Sequence, residues 1–146
     1  ALLRASFKGQ DQKLLNDIRA GFAPPDFKIV PLDGYHAQYQ ADATFRRWVE
    51  TNIHAHRNPE YSIVSISLKS PGETPGDASA DQMYAMADLA QRYGHDELRV
   101  SHEQNIILPH VNKTDLASVH TALQNEGLAS ANMDSSLKGG IPYIDY

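Results

Sequence analysis

The N-terminal part of the chain shows only short stretches of regular hydrophobic patterning. Residues 11–21 carry apolar side chains at helical spacing, and Gly21 is suited to end that helix. Two consecutive prolines, Pro24 and Pro25, then interrupt the pattern because proline donates no backbone hydrogen bond. The short apolar run 27–30 predicts an edge strand, and the aperiodic stretch 31–43 predicts a surface loop or linker.

A helix and then a strand are predicted from residue 45 onward. The apolar positions of the helix follow the i, i+3, i+4, i+8 spacing of an amphipathic segment: Phe45, Trp48, Val49 and Ile53. The strand covers residues 61–68, where side chains alternate with period two. One of its faces is apolar, and the other is mixed and carries Ser65 and Ser67.

The next segment has the start and stop signals of a helix. Ser79 and Gln82 have the spacing of a capping box, and Gly94 is suited to end the helix. Met83 and Met86 lie on its apolar stripe, so both are predicted to be core residues rather than a functional surface.

Three more strands and one more helix are predicted after residue 94. Residues 97–100 and 106–109 predict two short strands, residues 115–126 predict a helix ended by Gly127, and residues 128–132 predict a last strand. From residue 61 the order is therefore strand, helix, strand, strand, helix, strand. This order predicts an α+β fold, a ferredoxin-like βαββαβ sandwich preceded by a helical or extended connector.

This sandwich has one antiparallel sheet with both helices on the same face. The other face, with Ser65 and Ser67, is then expected to be open to a ligand or a partner.

Composition excludes several classes of function. The formal net charge is −5 and no basic run is present, so a nucleic-acid partner is not expected. No window is apolar enough for a membrane helix, and the N-terminus has no secretory signal pattern, so a cytoplasmic protein is the default expectation. The chain has no cysteine, which excludes disulfides, a thiol nucleophile and thiolate ligands to a metal or cluster from this chain.

The run from Glu97 to Asn105 is the strongest candidate for a binding site. Arg99, Gln104 and Asn105 offer hydrogen-bond donors that suit a polyanionic ligand, and arginine forms forked bonds with carboxylates. The alternative is a solvated hairpin in which Arg99 pairs with Glu97 or Glu103. Composition alone leaves both interpretations open.

Other candidates are weaker. His54 and His56 have a spacing that could suit a metal only on a strand, but the flanking pattern is helical and a third ligand is not evident. Surface or internally hydrogen-bonded histidines are the favoured interpretation, so no metal site is predicted. The loop 72–76 lacks the spacing of a phosphate-binding motif, and no arrangement typical of a hydrolase is present.

Several segments together resemble a known family. They are Trp48 with Asn52 and His56, the strand YSIVSISLK, the loop PGETPGD, the helix SADQMYAMADLAQRYG and the run ELRVSHEQNIILPHV. These are similar to the siroheme-dependent sulfite and nitrite reductases. The resemblance covers about residues 45–132 and is strongest over residues 63–111.

The resemblance implies that the chain is one ferredoxin-like half domain of a reductase (an oxidoreductase). Residues 1–44 would be the preceding connector, 45–132 the half domain and 133–146 a tail. The parent enzyme would use siroheme and a [4Fe–4S] cluster for the six-electron reduction of sulfite to sulfide or of nitrite to ammonia. Its partners would be the other half of the reductase and an electron-donor protein or subunit.

The resemblance also assigns candidate cofactor contacts. Arg99, Gln104 and Asn105 match the stretch that approaches siroheme in the family, and His102 and Lys69 match less specifically. No catalytic residue is assigned, because the family's substrate-binding residues belong mostly to the other half.

The chain departs from the family near its end. The family has a CPGLDYC-like segment that supplies cluster ligands, and the comparable stretch here is 140–146, with Ile141 in place of the first cysteine. The chain is therefore expected to be a piece of a reductase that holds neither cofactor alone and is inactive alone. A homodimer through the exposed sheet face is a further expectation. The alternative is a stand-alone ferredoxin-like module that binds a ligand or a protein without redox chemistry.

Overall fold

The computed structural model describes residues 2–69 and 74–130, with side chains from residue 12 onward. Its helices are α1 (Leu2–Gly21), α2 (Asp33–Ala41), α3 (Ala43–Asn52), α4 (Ala80–Tyr93) and α5 (Leu116–Asn125). Its strands are β1 (Ile53–Ala55), β2 (Tyr61–Ser67), β3 (Arg99–Val100) and β4 (Asn105–Asn112), and a short 3-10 turn, Lys113–Asp115, leads into α5. None of these described helices combines the length and apolar character needed to cross a membrane.

Two compact units make up the chain, and a boundary between them falls after Phe27. The first contains α1, which confirms the helix predicted over 11–21 and begins earlier than that pattern indicated. The second begins at Lys28 and contains all the other described helices and the sheet. The boundary predicted at residue 44 stays a prediction, although α2 already lies in the second unit.

Two predictions for the stretch before α3 are wrong. Residues 27–30 form no strand, and the predicted loop 31–43 contains α2. Tyr35 and Tyr39 lie one turn apart on α2, with ring centroids 6.1 Å apart, and both pack against the core cluster. A helix held by two half-buried tyrosines among polar residues produces almost no hydrophobic periodicity, so its pattern was not recognisable.

The described strands form one antiparallel sheet in the order β1-β2-β4-β3. The central pair β2 and β4 sets Val64 opposite Leu108 and Ile66 opposite Ile106. A register shift between Ser62 and Val64 interrupts the pairing once. The α+β, ferredoxin-like class predicted from the pattern is confirmed.

The edge strand beside β2 is one that the sequence did not predict. The predicted last strand 128–132 is wrong over 128–130, which are irregular, while 131–132 lie outside the described residues. β1 pairs with β2 instead. Leu128 is buried in the core and its backbone N–H donates to the carbonyl oxygen of Leu123 at 2.8 Å. The apolar signal at 128 therefore reflects core packing after α5 rather than a strand.

The hydrophobic core lies on one face of the sheet, under the helices. Val64, Ile66 and Leu108 from the central strands are fully buried there. The helical contributions come from α3, α4 and α5: Phe45, Trp48, Val49, Met86, Leu89, Ala90, Leu116, Val119 and Leu123. The placement of the last two helices on one face confirms the prediction. Met86 is buried as predicted, but Met83 is 60% exposed, so its assignment to the core was wrong.

The opposite face of the sheet is not open where the sequence predicted it to be. Ser65 and Ser67 are buried, with exposed fractions of 1% and 3%, and so is Asn105, which pairs with Ser67. Ser65 lies opposite Ile107, and its carbonyl oxygen accepts a hydrogen bond from the side chain of Asn52. Short serine side chains in a central strand are covered by their neighbours even when the pattern marks them as polar. The prediction of an exposed face at these serines is therefore wrong.

Candidate functional site

The turn between β3 and β4 is built around Ser101. Its hydroxyl oxygen accepts hydrogen bonds from the backbone N–H groups of Glu103 at 3.3 Å and Asn105 at 3.2 Å, and its own N–H donates to the carbonyl oxygen of Asn105 at 2.9 Å. Gln104 has a φ of 61°, a left-handed conformation that lets the chain reverse here. The polar run between the two strands thus forms a tight, internally bonded hairpin.

Arg99 lies on β3 opposite Ile107, in the same cross-strand row as Ser65. Its Nε donates to Glu97 Oε1 at 2.5 Å, and the two side chains are 29% and 39% exposed. The arginine–acid pairing considered from the sequence is therefore present, with Glu97 as the partner.

Three of the other predicted residues meet at the turn. Lys69 Nζ donates to the carbonyl oxygen of Glu103 at 2.7 Å, which joins the end of β2 to the hairpin. The Gln104 side chain packs against Gly76, where an added Cβ would lie 3.5 Å from it. Asn105 is buried, and its Oδ1 has no hydrogen-bond partner among the residues that the structure describes.

His102 does not belong to this group. Its side chain is 92% exposed, and Nε2 lies 3.8 Å from Glu103 Oε1. The structure therefore brings Lys69, Gln104 and Asn105 together, with Arg99 in an adjacent row of the same sheet face, and leaves His102 directed to solvent. We call Lys69, Arg99, Gln104 and Asn105 the hairpin site.

The charges of the hairpin site are nearly balanced. Lys69 and Arg99 are cations, and Glu97 and Glu103 are acids in the same hairpin. The hairpin site therefore has little net charge, and it would bind a ligand through individual hydrogen-bond donors rather than through a strongly positive potential. Among the described residues no group of three or more His, Asp or Glu side chains could hold a metal ion.

A second polar group adjoins this site, and the sequence did not reveal it. His56 Nε2 lies 3.0 Å from His110 Nδ1, and His110 Nε2 faces Glu97 Oε2 at 3.7 Å. The prediction that His54 and His56 have a helical setting was wrong, because His54 lies on β1 and His56 follows it. The available signal in the sequence was a histidine, His110, within the apolar strand β4. Its contact with His56 is visible only in the structure.

Burial dominates the electrostatics of these histidines. It lowers the pKa of His110 to about 4, against the opposing attraction of Glu97. Burial likewise lowers the pKa of His56 and of His54 below the ordinary value. His110 is therefore neutral near pH 7, and it acts there as one donor and one acceptor.

The fold and the hairpin site define a small α+β domain with a donor-rich turn beside an antiparallel sheet. The family model of the nitrite/sulfite reductase ferredoxin-like half domain matches residues 54–126, which is half of the chain. The chain belongs to this family. No curated protein and no solved structure matches it significantly.

The matched range runs from β1 to the end of α5 and includes both the hairpin site and the histidine pair. The family resemblance inferred from the sequence is thereby confirmed. The tail 133–146, where the cluster-binding segment was sought, lies outside the described residues and outside the matched range.

Proposed function

We propose that the hairpin site forms part of the siroheme-binding surface of a sulfite or nitrite reductase. The observation that carries this proposal is the hydrogen bond from Lys69 Nζ to Glu103 O, because it brings a cation from the end of β2 to the hairpin that also carries Arg99. One cation thus contacts the hairpin on which the other, distant in sequence, lies. Such an arrangement suits a ligand with several carboxylates.

The residues present fit a carboxylate-rich tetrapyrrole in their chemistry. Arg99 can bind a carboxylate through forked N–H donors, and charge-assisted hydrogen bonds contribute about 1.5–3 kcal/mol each. When bound, siroheme would supply the redox-active iron at which the substrate is reduced. In this proposal the hairpin holds and orients the macrocycle through its carboxylates.

The remaining parts of such an enzyme would come from other regions. The chain has no cysteine, so thiolate ligands of a [4Fe–4S] cluster would be supplied elsewhere in the parent enzyme. We propose residues 45–132 as the half domain, 1–44 as its connector and 133–146 as its tail, with the other half of the reductase and an electron donor as partners. The reaction would be reduction of sulfite to sulfide or of nitrite to ammonia, and this chain alone would be inactive.

Titration of siroheme into the siroheme-free parent reductase that contains this chain tests the proposal, because the chain alone is not expected to hold the cofactor. The visible absorption spectrum is expected to shift on binding, and Arg99→Gln or Lys69→Gln is expected to weaken binding about tenfold or more, as the loss of one charge-assisted bond predicts. Arg92→Gln is the matched control, because Arg92 is a 65% exposed arginine on α4 that pairs with Asp88.

The control is expected to bind like the wild type. Circular dichroism of each variant would verify that it is folded. If siroheme produces no spectral shift with the parent reductase, or if Arg99→Gln and Arg92→Gln bind alike, the siroheme assignment is wrong. A ferredoxin-like module without redox chemistry, with Glu97–Arg99 as a structural pair, would then be the better interpretation.

A further inference from the structure

A line of polar groups crosses the sheet from the β1–β2 connection to β3. The backbone N–H of Asn58 lies 2.8 Å from His56 Nδ1, and His56 Nε2 lies 3.0 Å from His110 Nδ1. His110 Nε2 then faces Glu97 Oε2 at 3.7 Å, and Glu97 Oε1 accepts from Arg99 Nε. We call His56, His110 and Glu97 the histidine relay.

The direction of each contact follows from its first donor. A backbone N–H can only donate, so His56 Nδ1 accepts from Asn58 and the proton of neutral His56 lies on Nε2. His56 Nε2–H then donates to His110 Nδ1, which leaves the proton of His110 on Nε2. The contact of His56 Nδ1 with the Asn58 carbonyl oxygen is longer, at 3.2 Å, and would be a hydrogen bond only if Nδ1 carried the proton.

The relay ends on Glu97, whose Oε1 accepts a hydrogen bond from Arg99 Nε and whose Oε2 lies in a longer, electrostatic contact with His110 Nε2 at 3.7 Å. His110 Nε2–H is directed towards Oε2 of Glu97, and Arg99 holds Oε1. A carboxylate with a hydrogen bond at one oxygen and a polar neighbour at the other has less rotational freedom, and it orients the guanidinium that it contacts. His110 is 7% exposed in its side chain, so solvent does not compete strongly for this contact.

We propose that Glu97 and His110 are positioning residues for Arg99, and that His56 selects the tautomer of His110 that makes this possible. The inference rests on the proposed function for the ligand that Arg99 would meet. The order within the relay itself depends only on contacts inside this chain.

The proposal has a consequence at low pH. In the described part of the chain, the charged and titratable groups that act on His110 include Glu97, Arg99, His56 and His95, the last with its ring centroid 6.4 Å away. If His110 Nδ1 gained a proton, both His110 Nδ1 and His56 Nε2 would be N–H donors, and the hydrogen bond between them would be lost. The added proton would also draw Glu97 towards the new cation and loosen its bond to Arg99. Because burial lowers the pKa of His110 to about 4, the ordered relay would persist well below neutral pH.

Nitrogen-15 NMR of the labelled chain tests the proposal without any cofactor. The imidazole shifts at pH 7 are expected to show the proton on Nε2 for both His56 and His110. Water exchange of the Arg99 Nε–H is expected to rise about tenfold in Glu97→Ala, the factor that corresponds to losing one hydrogen bond of this kind, and to rise less in His110→Gln, which leaves that bond in place. His36→Gln, at an exposed position of α2, is the matched control and should leave this exchange unchanged.

The wild type also provides a test that does not depend on any variant folding. Its Arg99 Nε–H shift should change in a step as His110 titrates, and this step should be lost in His110→Gln. The proposal would be overturned by a proton on Nδ1 of His110 at pH 7. It would also be overturned if the Arg99 Nε–H shift did not change as His110 titrates. Since siroheme is absent from these measurements, their failure would be distinct from failure of the siroheme assignment.

Discussion

The side chain of Asn52 joins the end of α3 to the central strand β2 by donating a hydrogen bond from Nδ2 to the carbonyl oxygen of Ser65 at 3.1 Å. The same Nδ2 donates to the carbonyl oxygen of Ser130, also at 3.1 Å, while Oδ1 accepts from Thr51 Oγ1 at 2.6 Å. Asn52 is fully buried. One amide thus connects α3, the sheet and the segment that follows α5.

Replacing this amide should leave buried carbonyl groups without a donor. We expect Asn52→Ala to lower the free energy of unfolding by about 1–3 kcal/mol, the cost of an unsatisfied buried polar group. Urea denaturation followed by circular dichroism measures the change. Asn125→Ala, at an exposed position that ends α5, is the control and should change stability by no more than about 0.5 kcal/mol. Equal effects of the two substitutions would contradict the role given to Asn52.

Helix α4 provides a matched pair of methionines for measuring core packing. Met86 is 4% exposed and Met83 is 60% exposed. Met86→Ala should cost about 2–5 kcal/mol because it leaves a cavity under the sheet. Met83→Ala should stay within about 0.5 kcal/mol, since it changes only an exposed side chain. Thermal or urea unfolding measures both, and a large loss in Met83→Ala would show that its surface is buried in solution.

The N-terminus of α4 depends on a reciprocal cap. Ser79 Oγ accepts from the backbone N–H of Gln82 at 3.2 Å, and the Gln82 side chain accepts from the backbone N–H of Ser79 at 3.0 Å. Ser79→Ala should lower stability by about 0.5–2 kcal/mol. Ser79→Asp keeps an oxygen acceptor, and its negative charge interacts favourably with the positive end of the helix dipole. This variant should therefore retain wild-type stability. If the two variants were equally destabilised, the side-chain acceptor would not matter.

Stability should fall as the pH is lowered towards 4. Burial lowers the pKa of His110 from 6.5 to about 4, so the unfolded chain binds a proton there at a higher pH than the folded chain does. The contribution of His110 to the free energy of unfolding is therefore at its maximum above about pH 6.5. It decreases as the pH falls to about 4, by roughly 1–3 kcal/mol. Urea denaturation at a series of pH values measures the slope.

The other buried histidines should change stability with pH in the same direction as His110. Burial also lowers the pKa of His54, His56 and His120. His110→Gln should therefore reduce the slope without abolishing it. His36→Gln, with an exposed side chain, should keep the wild-type slope. A slope that is identical in His110→Gln and wild type would mean that His110 does not carry this part of the pH dependence.

Elements with strong local signals were predictable. The α4 helix was recognisable from Ser79, Gln82 and Gly94, because a cap and a stop act within a few residues of the helix end. The helix predicted over 115–126 and its end at Gly127 are likewise confirmed, and Gly127 has a φ of 70°. The α2 helix was missed because two tyrosines carry its packing.

The hairpin site was only half predictable. Arg99, Gln104 and Asn105 are close in sequence, so a hairpin brings them together whatever the rest of the fold does. The contact of Lys69 with the Glu103 carbonyl group depends on how β2 lies beside β4. The burial of Ser65 and Ser67 has the same origin, because a polar residue in a central strand is covered by whichever neighbours the register provides.

The sequence by itself determined the α+β class, the extents of α4 and α5, the family resemblance and the absence of any cysteine ligand. Each of these depends on residue type or on spacing within one element. Only the tertiary structure decided that β1 takes the edge beside β2, that Glu97 holds Arg99, and that His56 meets His110. His56 and His110 are distant in sequence, and no local rule of spacing can express a contact that the pairing of strands creates.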